Sequence, residues 1–99
     1  MAFLVAARAE ADLDEIWFYI AKESSSTEIA DRFIDTLTDR FLRLASFPHL
    51  GRSRDDDFGP GCRSLAVGEW VIVYCVENED LLILRVVHGR RDLETLFGR

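Results

Sequence analysis

Ninety-nine residues, 48% of them hydrophobic and eleven aromatic, carry too much apolar surface for a disordered chain and enough to bury one core without metals or disulfides. The 30% charged residues are spread so that no run approaches the roughly 20 apolar residues of a membrane span. A net charge of −6 disfavours nonspecific binding to nucleic acid, which depends on cations neutralising phosphates.

The expected molecule is one soluble domain over 1–99. The opening MAFLVAARAEADLDE turns acidic too early for a signal peptide, and a cytoplasmic location follows as the expectation. Residues 1–50 hold nine acids and five bases; residues 51–99 hold nine acids and seven bases, all arginine. The arginine fork suits bidentate pairing with carboxylates as well as phosphates, so an acidic protein partner fits the second half as well as RNA does.

Phe3 to Ala6 reads as a short edge strand. From Arg8 to Lys22, Leu13, Ile16, Trp17 and Ile20 fall on one helical face, and the acids Glu10, Asp12, Asp14 and Glu15 suit the positive end of the helix dipole. Ser24 to Thr27 interrupts the pattern, and Ser25 with Glu28 has the spacing of a capping box opening a second helix. That helix carries Ala30, Phe33, Ile34, Leu37, Phe41, Leu44 and Ala45 at helical spacing and stops by Phe47, because Pro48 disfavours helical geometry before it.

Residues 48–61 hold both prolines and three glycines and read as a surface loop. Then the period becomes that of strands: CRSLAV, a Gly68-Glu69 turn, WVIVYCV, a polar link, and LLILRVVH. Three antiparallel strands in meander order beneath a helical hairpin give an α+β fold. These strands are apolar on both faces, and one hairpin covers only one. The Trp70 face is expected against the helices, leaving the Val71 and Val73 face for a partner; cover by the long loop and residues 90–99 is the alternative.

A two-residue turn at Gly68-Glu69 pairs Val67 with Trp70. It thereby sets Cys62 opposite Cys75 at a non-hydrogen-bonded position, where side chains approach closely. Two reduced thiols packed side by side are expected there, since two cysteines are too few for a disulfide scaffold and match no zinc spacing. Asp55, Asp56 and Asp57 point in different directions along a loop and read as a hydrated run; no metal site or cofactor is expected. Arg63 and Arg85 interrupt apolar strands, so each either pairs with a helix acid or faces a partner. His88, Arg90, Arg91 and Asp92 end the last strand as a charged cluster, a nuclease-like set or a recognition edge.

The stretches DLDEIWFYIA, ADRF, FPHLGRSRDD, CRSLAVGEWVIVYCV and LLILRVVHGRRD together resemble the ParE-type toxins of the RelE/ParE toxin–antitoxin superfamily, over residues 8 to 92. The resemblance implies a helical hairpin on a small antiparallel sheet. It also implies a cognate ParD-like antitoxin whose tail wraps the toxin, and DNA gyrase as a target inhibited by contact. Arg63, Arg85, His88, Arg90, Arg91 and Asp92 are the candidates for gripping antitoxin or target. The RelE branch instead cuts messenger RNA on the ribosome, using cations and a late tyrosine or histidine. Beside such sequences, Val71 and Leu93 fall where arginine is usual and Phe97 where tyrosine is, so catalytic residues are not expected. A RelE-like ribonuclease and a toxin-derived module without toxicity stand as the alternatives.

Overall fold

The computed structural model describes residues 1–89 and Asp92. It has two long helices, α1 (Ala7–Ser24) and α2 (Thr27–Ser46), and a short one, α3 (Asp55–Phe58). The strands are β1 (Phe3–Val5), β2 (Arg52–Ser53), β3 (Cys62–Val67), β4 (Trp70–Glu77) and β5 (Asp80–His88), in the spatial order β1-β5-β4-β3-β2. Among the described residues no helix is long and apolar enough to cross a membrane.

The hairpin of α1 and α2 forms where the apolar spacing requires, but its joint lies one residue later than the capping-box spacing implies. Ser25 closes α1 in the left-handed region at φ 55°, and the Ser26 hydroxyl accepts the Ile29 amide proton at 3.2 Å to open α2. The buried sides of the helices, Ala9, Ile16, Leu37, Phe41 and Leu44, meet Ile72, Tyr74, Leu81, Ile83 and Val86 of the sheet. The Trp70 side of β4 therefore packs against the helices, as expected.

The sheet departs from a three-stranded meander in two places. β1 runs parallel to β5, Phe3 opposite Leu81 and Val5 opposite Ile83, so the sheet is mixed. Parallel neighbours need a long crossover, and the chain between them supplies it. The expected loop 48–61 contains β2, antiparallel to β3, and the helical turn α3.

A bulge also changes which residues share a face. β4 and β5 pair Val73 with Arg85 but Tyr74 with Ile83, leaving Leu84 as the extra residue. One inserted residue reverses the alternation beyond it. Ile83 and Val86 thus both face the helices, while Leu84 and Val87 face the opposite side; strict alternation would have grouped Ile83 with Val87.

That opposite face is not left open for a partner. Val71, Val73 and Val87 are buried within the chain, and Phe58 of α3 and Leu84 pack against them. The long loop delivers Phe58 because α3, one helical turn closed by the Gly59 amide on the Asp55 carbonyl, folds its aromatic end over the valines.

The cysteines also depart from expectation. Cys62 and Cys75 pair in the register that the Gly68 turn dictates, but they are joined as a disulfide, with Cα atoms 4.0 Å apart. The close approach of a non-hydrogen-bonded antiparallel pair brings the sulfurs within bonding reach. Closing a loop of this size removes unfolded-state entropy, so reduction is expected to cost about 2–3 kcal/mol. Urea unfolding with and without a phosphine reductant, against the Cys62→Ser/Cys75→Ser variant, measures it; the variant should match the reduced protein and be insensitive to reductant.

Candidate interaction site at the end of β5

The bulge at Leu84 turns Arg85 toward α1, where Asp12 waits. The Arg85 Nε donates to Asp12 Oδ2 at 2.8 Å and a terminal nitrogen donates to Oδ1 at 3.1 Å, a bidentate pair. The same Oδ2 accepts the Val86 amide proton at 2.9 Å. β1 has ended by then, so α1 takes over the edge of β5 and one carboxylate serves both the guanidinium and the strand backbone. Asp12 is buried and holds the Arg85 guanidinium more firmly charged than usual, chiefly through these hydrogen bonds.

Beside this pair lies a cavity of about 230 Å³ whose walls include Glu15, Tyr19, Trp70, Arg85 and Asp92. Two of its wall rings, Tyr19 and Trp70, continue into a row of three with His88, which lies outside the cavity. Tyr19 meets Trp70 edge to face with centroids 6.1 Å apart, and Trp70 meets His88 in the same manner at 5.5 Å. The His88 backbone amide donates to Asp92 Oδ2 at 3.4 Å.

The structure thus brings Arg85, His88 and Asp92 together, and it answers the choice posed for Arg85 in favour of a helix acid. Arg63 is elsewhere. Its guanidinium donates to the Gly51 carbonyl at 2.7 Å and the His49 carbonyl at 3.4 Å, so it binds the long loop rather than a helix acid. Arg90, Arg91, Leu93 and Phe97 lie outside the described residues. Val71, where an RNA-cutting relative is expected to carry arginine, is buried in the aliphatic cluster.

Asp12 is the participant that sequence reasoning assigned only to the helix dipole. The signal was available: Ala9, Asp12 and Ile16 follow one another at helical spacing on the buried side, and a carboxylate there needs a partner. Among the described residues no group of three or more His, Cys, Asp or Glu side chains is arranged to hold a metal ion.

The family model for the ParE toxin of the type II toxin–antitoxin system parDE matches residues 3–93. The chain belongs to the ParE toxin family. It is 34% identical over 88 residues to Toxin ParE3 of Caulobacter vibrioides, an alignment spanning 89% of this chain and 86% of that protein. A solved chain of the chromosomal ParDE TA system from P. aeruginosa superposes with a TM-score of 0.75 at 22% identity, covering 89% of this chain and 95% of that one. The fold of this ParE-type toxin, two helices on a five-stranded sheet with an N-terminal edge strand, is the fold of that neighbour.

Proposed function

We propose that this ParE-type toxin acts by protein contact on DNA gyrase, stabilising cleaved DNA in the bacterial cytoplasm, and that a ParD-like antitoxin neutralises it. The family membership supports this reading, and so does the solved ParDE chain with the same fold. The observation that favours contact over RNA cleavage is the bidentate hold of Asp12 on Arg85. Metal-free RNA cleavage needs a cation available to a developing phosphorane; here the strand arginine nearest His88 spends two donors on the fold. That arrangement supports reading the end of β5, with Trp70, His88 and Asp92, as a contact surface rather than an active site.

Expression of the chain alone in a bacterial host tests the reading. The expected result is growth arrest with linearised plasmid and accumulated gyrase–DNA complexes, reversed when the antitoxin is co-expressed, and primer extension on messenger RNA showing no new ends. Codon-positioned transcript cuts that disappear in His88→Ala would overturn it in favour of a ribosome-dependent nuclease.

A further inference from the structure

The helical hairpin is narrower than the sheet beneath it. Its closest backbone approaches to the strands are to β1 and β5, its side chains reach Ile72 and Tyr74 of β4, and toward β3 the helix-side face emerges from cover. There Leu65 is only partly buried, and Leu50 of the long loop is 48% exposed. Between them and α2 runs an open groove of about 320 Å³ lined by Arg40, Arg43, Leu50, Leu65 and Ala66.

The charge of this groove runs against that of the chain. Acids outnumber bases 18 to 12 overall, yet no described carboxylate lines the groove. Arg40 and Arg43 lie three residues apart on α2, both exposed, and neither has an ion-pair partner among the described residues. Arg63, next but one to Leu65 on the same strand face, lies outside the groove's lining and gives its hydrogen bonds to the neutral carbonyls of His49 and Gly51, on either side of Leu50. An aliphatic floor with cations along one wall suits a segment that alternates apolar anchors with carboxylates. It suits nucleic acid poorly, because no aromatic ring lines it to stack a base and the net charge of −6 repels phosphates.

We propose that the α2–β3 groove seats an acidic segment of the antitoxin, with an aliphatic side chain between Leu50 and Leu65 and carboxylates on Arg40 and Arg43. The assignment rests on the antitoxin reading given under Proposed function and separates the antitoxin's seat from the β5 end.

The test uses the full chain and the antitoxin encoded beside its gene, purified together and then titrated by fluorescence anisotropy at two salt concentrations. R40E/R43E should weaken the complex at least about tenfold in low salt, with the loss shrinking in high salt, since two attractive contacts become repulsive. K22E in the last turn of α1, at the opposite end of the hairpin from Arg40 and Arg43, should leave affinity within about twofold, and unchanged thermal midpoints would show that both variants fold. Amide exchange should slow at Leu65 and Ala66 when the antitoxin binds. If R40E/R43E binds as tightly as wild type, the groove assignment fails while the antitoxin reading stands. If wild type does not bind, both fail. Binding of a short RNA or DNA duplex that R40E/R43E abolishes, or self-association that it abolishes without antitoxin, would assign the groove to another occupant and overturn the proposal.

Discussion

Asp12→Ala should be among the most damaging single substitutions in this toxin, lowering stability by about 3–4 kcal/mol. Removing one member of a largely buried ion pair typically costs about 3–5 kcal/mol because the other charge is left uncompensated. The lower part of that range applies because the Arg85 side chain keeps 23% of its surface in water. The substitution also strips the acceptor from the Val86 amide. At this chain length the loss corresponds to a fall in thermal midpoint of roughly 12–30 °C.

A double-mutant cycle separates the two parts of that cost. Asp12→Ala with Arg85→Met removes the stranded cation and replaces its stem with apolar volume, so the double variant should recover part of the stability lost in Asp12→Ala. What remains lost belongs to the Val86 amide and to the bulge that it anchors. A Asp12→Ala midpoint within a few degrees of wild type would mean that the edge of β5 is held by something other than this carboxylate.

The elements of the fold were legible because each follows from local chemistry. Apolar residues three and four apart gave both helices, Pro48 ended the second, and glycine at 68 fixed the hairpin register closely enough to set Cys62 opposite Cys75. The bulge was not legible. Leu84 is an aliphatic residue within an aliphatic run, and nothing local distinguishes the extra residue; the tertiary pull of Asp12 on Arg85 and Val86 accompanies it. Phe58 was hidden for a related reason, since a single aromatic in a loop of glycines and aspartates declares no destination until the valine cluster is seen. At the site, His88 and Asp92 were found from charge clustering and Arg85 as a cation interrupting an apolar strand, whereas Asp12 stands 73 residues from Arg85 and needed the burial pattern of α1 to be read as a demand for a partner.

Gly51→Ala should cost about 2–4 kcal/mol, a large penalty for adding one methyl group to a loop. A Cβ there would stand 2.5 Å from the Tyr74 hydroxyl, 2.7 Å from the Ser64 carbonyl oxygen and 2.8 Å from Tyr74 Cε1. The tyrosine has little room to retreat, because it is fully buried and its hydroxyl both accepts the Gly51 amide proton and donates to the Pro48 carbonyl, each at 2.9 Å. Ser64 is strand backbone, so the loop must move instead, at a cost typical of overpacking plus broken hydrogen bonds.

Tyr74→Phe is milder, at about 1–3 kcal/mol, since it leaves the shape and removes only the hydroxyl bridge. It should not rescue Gly51→Ala, because the Ser64 oxygen and the ring carbon remain in the way. Burial raises the Tyr74 phenol above its ordinary 10.0. The unfolded chain therefore releases this proton first, and stability is intact below about pH 10 and falls as pH rises from there toward the raised value. Tyr74→Phe should lack this part of the alkaline loss, which urea titrations between about pH 9 and 11 resolve. The same bridge holds Leu50, the residue before Gly51, at the rim of the arginine-lined groove. Gly51→Ala should therefore weaken the antitoxin complex even at temperatures where the variant is folded. If affinity is unchanged while stability falls, the loop serves the core alone and Leu50 is not part of the seat.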